Sequence, residues 1–193
     1  MSESSDSAVS GPRVHAQQEA LFETSGDSLS PDVGYRGPIA CSAAGITYRQ
    51  LDYWARTGLI QPSIRTAQGS GSQRLYSFRD VLVLKVIKKL LDTGVSLQNI
   101  RSAVEHLRGR GVDDLAEITL MSDGASVYEC TSEREVIDLV AGGQGVFGIA
   151  VGRVWREIEG SLAELPGERS DGRSVVPDGY NDELAERRAL RTG

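Results

Sequence analysis

The chain has 193 residues, 39% of them hydrophobic and 25% charged, with a formal net charge of -6. That length allows one or two small domains and excludes several. No apolar run approaches the roughly 20 residues that span a bilayer, and the acidic, Ser-rich start lacks the basic and apolar blocks of a signal peptide, so a cytoplasmic, nucleoid-associated protein with no membrane contact is expected.

The charge is unevenly divided. Residues 1–33 carry one basic side chain against six acidic, residues 34–110 twelve against four, and residues 111–193 eight against seventeen. A basic block between two acidic ones suits a domain that meets phosphates while its neighbours stay off them. Cys41 and Cys130 have no Cys-x-x-Cys or Cys/His companion and read as ordinary reduced thiols.

Residues 1–33, rich in Ser, Asp and Gly, are expected to form a disordered acidic tail. Within it Gln18-Glu19-Ala20-Leu21-Phe22 resembles the short Gln-x-x-Leu-Phe peptides with which bacterial proteins dock on the replication sliding clamp; the plain alternative is an apolar spot or a turn of transient helix. Pro38 to Ala44 can form a first helix entered through Pro38, and Gly45 makes the turn into a second. Thr47 is a good N-cap for that second helix and leaves Tyr48, Arg49 and Gln50 in its first turn. Helical spacing puts Leu51, Trp54 and Ala55 on one face and Arg49, Asp52, Tyr53 and Arg56 on the other. Gly58 is a fitting left-handed C-cap, and Pro62 cannot extend a helix.

Two short alternating stretches, Ser63 to Arg65 and Gln73 to Tyr76, flank a Gly/Ser-rich loop and read as a hairpin with an arginine at each root. A short helix with a basic, aromatic outer face followed by such a hairpin is the outline of a winged helix-turn-helix. Tyr48, Arg49, Gln50 and Tyr53 are the candidates for the major groove, with Thr47 at the helix start, and Arg65, Arg74 and Tyr76 for the wing and phosphates. A solvated helix face is the bland reading of Arg49 and Tyr53; the hairpin and the charge asymmetry argue against it.

Ser77 and Asp80 open a third helix in capping-box style, with Val81, Leu84, Ile87, Leu90 and Leu91 as its apolar stripe. Lys85, Lys88 and Lys89 on its other side either touch phosphate or keep the surface soluble. Ser96 caps a fourth helix, whose Leu97, Ile100, Val104 and Leu107 face inward before Gly109-Arg110-Gly111 stops it.

Gly45-Ile46-Thr47-x-Arg49-x-Leu51-x-Tyr53-Trp54, then Gly58-Leu59-Ile60-x-Pro62, then Arg74-x-Tyr76-Ser77, resembles the DNA-binding domain of the MerR family of bacterial transcription regulators over roughly residues 38–108. The resemblance implies a homodimer on a palindromic promoter operator. It also implies binding between the promoter hexamers and distorting the duplex so that RNA polymerase can engage them. Asp52-Tyr53-Trp54 stands where the family usually has Arg-Tyr-Tyr, so the contact expected from that arginine must come from elsewhere or be missing. The long pairing helix common in the family does not follow, and the cysteine set of its metal-sensing members is absent.

From Leu115 the pattern alternates, with Glu117 to Met121 and Ala125 to Cys130 forming a hairpin about Ser122-Asp123-Gly124. Ser132 and Glu135 make a capping box for a helix to about Ala141. Val146 to Val151 is apolar, and Val154, Trp155, Ile158 and Leu162 continue at helical spacing. Such an α+β domain of about 50 residues lies near the lower limit for independent stability, so apolar cover from a partner is expected. Phe147, Trp155 and Ile158 are the candidate dimer-interface residues; an effector pocket is the other use for the aromatics.

The glycines at 142–148 lack a following Gly-Lys-Ser/Thr, His15 and His106 lack metal-ligand or catalytic companions, and no Ser sits in a Gly-x-Ser-x-Gly turn. No enzyme activity, metal or cofactor is expected. The expected fold is mainly α with small hairpins: a winged helix-turn-helix of four helices plus wing (34–111) and an α+β dimerisation or effector domain (112–165), between an acidic tail (1–33) and a flexible polar tail (166–193). The expected function is sequence-specific transcription regulation. Its rivals are an architectural or excisionase-like DNA-bending protein without an RNA polymerase role, and a protein-interaction module working through its acidic tails.

Overall fold

A computed structural model describes residues 30–66, 73–110, 112–141, 145–177 and 180. Helix α3 (Phe78–Asp92) organises the rest. Nine of its residues are buried, from Phe78 to Leu90, which is what a helix apolar on most of its circumference must achieve. Ser77 caps it, accepting from Asp80 N at 3.2 Å, while Asp80 accepts from Ser77 N at 3.0 Å.

Around α3 pack α1 (Gly37–Ala44), α4 (Leu97–Arg108) and α7 (Val151–Ala163), with α2 (Tyr48–Arg56) packed on α1. Between α4 and α7 come α5 (Val112–Glu117), β3 (Thr119–Ser122), β4 (Val127–Cys130), α6 (Glu133–Ala141) and β5 (Phe147–Ala150). The predicted β3–β4 hairpin is present, with Thr119 opposite Cys130 and Ser122 opposite Val127. The sheet has a third strand, because β5 pairs antiparallel with β3 on its other edge.

The 112–165 region was expected to look outside the chain for apolar cover. It finds that cover on α3: Trp155 of α7 lies against Phe78, ring centroids 4.7 Å apart and tilted by 59°. One continuous cluster of buried residues runs from Val33 through α3 to Leu162. Ile158, read from the sequence as an interface residue, is 0% exposed within its own chain and belongs to this core. The small sheet region therefore needs no partner to hide α7.

Both sequence-predicted tails need correction at their inner ends. Val33, assigned to the disordered segment, is buried in strand β1 (Val33–Arg36). Residues 167–169 and 174–175, assigned to a flexible tail, are strands β6 and β7. With β2 (Leu75–Ser77) they form a sheet ordered β2-β1-β6-β7. Its registers are antiparallel: Tyr35 opposes Tyr76, Gly34 opposes Glu168 and Glu168 opposes Ser174. Isolated extended tripeptides carry little signal of their own, since strands this short are held by partners and not by propensity. The Gln18–Phe22 segment, the 67–72 loop, residues 142–144 of the glycine cluster and residues 181–193 of the expected polar tail lie outside the described residues.

Candidate nucleic-acid interface

The chain enters α2 through a complete capping box. Gln50 N donates to Thr47 Oγ1 at 3.2 Å, and Thr47 N donates to Gln50 Oε1 at 2.9 Å, so two otherwise orphaned donors are satisfied. Gly45 (φ +71°) makes the turn from α1. Leu51 and Trp54 are buried on the inner face. On the outer face Tyr48 is 62% and Tyr53 52% exposed, with Arg49 exposed between them. Arg49 makes no side-chain hydrogen bond or ion pair among the described residues. Thr47 and Gln50 are tied to one another and start the helix.

The wing-side residues are placed differently. Arg65 pairs with Leu75 in an isolated bridge, which fixes the root of the expected hairpin. Its guanidinium donates to Glu168 Oε1 at 2.5 Å and to the Gln73 carbonyl at 3.3 Å. Arg74 donates to Asp52 Oδ1 at 3.0 Å, and Asp52 also meets Arg56 at 2.9 Å. The Arg74 hydrogen bond, helped by Arg56 and opposed by partial burial, holds the Asp52 carboxyl below its usual range. Asp52 thus holds both Arg56 and Arg74 beside α2.

Tyr76 departs from its predicted role. It is fully buried opposite Tyr35, and burial pushes its phenol up against the opposing influence of Arg74. Arg74, two residues before Tyr76 and just outside β2, turns its guanidinium to Asp52 of α2. Tyr48, Arg36, Asp52, Gln73 and Arg74 line a concavity of about 510 Å³ beside the start of α2.

Two residues in this region gave no warning in the sequence. Arg36, at the N-cap of α1, donates through Nε and Nη2 to Glu168 Oε2 at 2.9 and 2.7 Å. Glu168 itself arrives on β6. Desolvation would raise its carboxyl, but hydrogen bonds and charge from Arg36 and Arg65 reverse that and leave it lowered.

Other basic residues are structural. Arg79 donates to the carbonyls of Leu107, Arg108 and Arg110 at the end of α4. Arg101 and Arg108 reach the carbonyls of Thr57, Gly58 and Leu59 beyond α2, as cations do at helix C-termini. The α3 lysines make ion pairs: Lys85 and Lys89 meet Glu157 at 2.8 and 3.4 Å, and Lys88 meets Asp92. Phe147 is half-buried in β5, packed like Trp155 against the core.

No group of three or more His, Cys, Asp or Glu among the described residues is placed to hold a metal ion. His106 pairs with Glu129 at 2.9 Å. Cys41 and Cys130 are free and buried. No helix among the described residues is long and apolar enough to cross a membrane.

A capped helix that buries one face and offers tyrosines and an arginine on the other, beside an arginine-lined sheet edge, is the arrangement of a helix-turn-helix DNA-binding protein. Residues 35–107 match the MerR HTH family regulatory protein model. The chain is 63% identical over 186 residues to an uncharacterized HTH-type transcriptional regulator of Mycobacterium tuberculosis, the match covering 95% of this chain and 79% of that protein. The same figures hold for its counterpart in Mycobacterium bovis. It is 31% identical over 83 residues to the HTH-type transcriptional regulator HmrR of Sinorhizobium medicae, 42% of this chain and 54% of that protein. The chain belongs to the MerR family of transcriptional regulators, which bind DNA.

Proposed function

We propose that this regulator acts as a homodimer on a palindromic promoter element and distorts the duplex between the hexamers so that RNA polymerase can engage them. In this reading residues 34–111 form a winged helix-turn-helix DNA-binding unit, joined by β6 and β7. The outer face of α2 carries it: Tyr48, Arg49 and Tyr53 project from a helix whose inner face is locked by Leu51 and Trp54. Arg49 reads a base edge, Tyr48 and Tyr53 fill the groove, and Arg36, Arg65 and Arg74 meet phosphates. Binding that bends or untwists DNA draws its selectivity partly from the cost of deforming uncontacted base pairs.

Protomers pair through the 112–165 region. Phe147 and Trp155 are largely committed to their own chain, so the contact falls to α6, where Ile137 is 64% and Val140 53% exposed. Replacing both by Asp is expected to convert dimers to monomers in sedimentation without lowering the melting temperature. Dimers that persist would move the contact off α6. Footprinting the full chain on genomic DNA tests the promoter role: protection should fall in promoter spacers, as two half-sites about 34–36 Å apart. Protection unrelated to promoters would favour the architectural, DNA-bending alternative.

A further inference from the structure

The strand β6 (Gly167–Arg169) reaches the DNA-binding lobe from the end of the small sheet region, and Glu168 stands 132 positions from Arg36 in the chain. Its side chain is 9% exposed and its two oxygens are divided, Oε2 to Arg36 and Oε1 to Arg65. Arg36 meets it through Nε and Nη2, and Arg65 through Nη2 alone, the Arg65 Nε donating to the Gln73 carbonyl; Nη1 of each is outside these contacts. Arg36 remains 53% exposed and lines the concavity beside Tyr48. One carboxylate between two guanidiniums leaves the trio positive.

We infer that Glu168 is a positioning residue for DNA binding, a carboxylate set behind Arg36 and Arg65 that holds both guanidiniums ready for backbone phosphates. This rests on the DNA-binding reading of the same face. A free arginine gives up rotamer entropy when a phosphate immobilises it, and one already clamped from behind has given it up on folding.

The opposite reading, a carboxylate that competes with phosphate and must release, fits the fold less well. β6 is fixed by backbone pairing to β1 and β7 and by the Arg169–Asp32 ion pair. Gly167 lies so close to β1 that an added Cβ would come within 2.6 Å of Val33 Cγ1. A segment woven into a sheet in this way holds its carboxylate in place.

The two readings predict opposite signs. The probe is a labelled random-sequence duplex titrated with the full chain across a range of salt. Glu168→Gln removes a negative charge from the binding face, which by long-range electrostatics alone tightens binding. Positioning instead predicts roughly tenfold weaker binding, the size of a lost charge-assisted hydrogen bond, and a salt slope shallower by about one to two units. In an Arg36→Gln, Arg65→Gln background the same change should cost nothing further. Glu168→Asp, which keeps the charge and shortens the reach, should fall between and serves if Glu168→Gln does not fold. Equal or tighter binding by Glu168→Gln, or an undiminished loss in the double-arginine background, overturns the inference and leaves the DNA-binding reading intact. A wild-type chain that binds no duplex at low salt overturns both.

Discussion

Arg49 on the outer face of α2 and the arginines of the neighbouring sheet and wing root carry their charge in different ways. Arg49 on α2 has no carboxylate partner among the described residues, whereas Arg36, Arg65 and Arg74 each have one, supplied by Glu168 or Asp52. A side chain that reads a base edge must reach into the groove and give both donors to the base, so a competing acceptor would work against it. A side chain that meets phosphate needs only to be in place with net charge remaining, and a carboxylate behind it does no harm so long as positive charge is in excess. On the proposed function the difference separates reading from anchoring, and it can be broken in order of expected effect.

The largest effect should come from beneath the helix. Trp54 is buried under α2, so Trp54→Ala is expected to cost about 3–5 kcal/mol by cavity formation, seen as a lowered thermal midpoint with DNA affinity falling alongside. A variant that keeps its midpoint yet loses DNA would make Trp54 a contact and not core.

Next comes Arg49→Ala. Without a base contact worth about 1–3 kcal/mol, affinity for the mapped operator should drop and base preference relax, with random duplex little affected. Competition titrations check this; a loss of equal size on both duplexes would assign Arg49 to phosphate and erase its contrast with the sheet.

Arg74→Ala should be milder and of the other kind. Operator and random duplex should weaken together, and the salt slope should flatten by about one unit. Asp52 would keep Arg56 at its side, so the helix itself should be undisturbed. An unchanged slope would show that Arg74 serves only to neutralise Asp52.

The same contrast governs what was readable from sequence. α2 is built from contacts three and four residues apart: the Thr47–Gln50 box, the Leu51 and Trp54 spacing, the glycine after the last turn. Local rules suffice for such an element, and its outward residues could be named. The β2-β1-β6-β7 sheet joins segments from opposite ends of the chain through strands of two to four residues. Nothing near Glu168 announces that its partners are Arg36 and Arg65. Tyr76 was misread for a related reason: Leu75 and Tyr76 are both buried, so both faces of β2 are covered, and the cover comes from elements distant in the sequence. The cover for α7 was likewise sought in a partner, because the apolar excess of residues 146–162 shows that a partner surface exists without showing that it is α3.

The smallest effect is the acid response of the sheet, and it has a definite sign. Asp32, Asp52 and Glu168 are all lowered from their ordinary values, Asp32 chiefly by Ser30 and Arg169, Asp52 chiefly by Arg74, and Glu168 by Arg36 and Arg65 against desolvation. A carboxylate bound more tightly in its ionised form contributes stability that is present above the ordinary carboxylate value and lost as pH falls through the lowered one. Asp80 behaves oppositely: burial raises it despite hydrogen bonds from Ser63 and Ser77, so its share is present in acid and lost as pH rises through the raised value. Amide exchange resolves the two, because they sit on different elements. Protection of the β1 and β6 amides should fall on acidification below the ordinary carboxylate range, while the Asp80-capped start of α3 should be the less affected. In Glu168→Gln the acid loss in β6 should shrink to the part due to Asp32. A β6 whose protection stays flat into strong acid would mean that the carboxylate and its two arginines add nothing to the sheet beyond its backbone pairing.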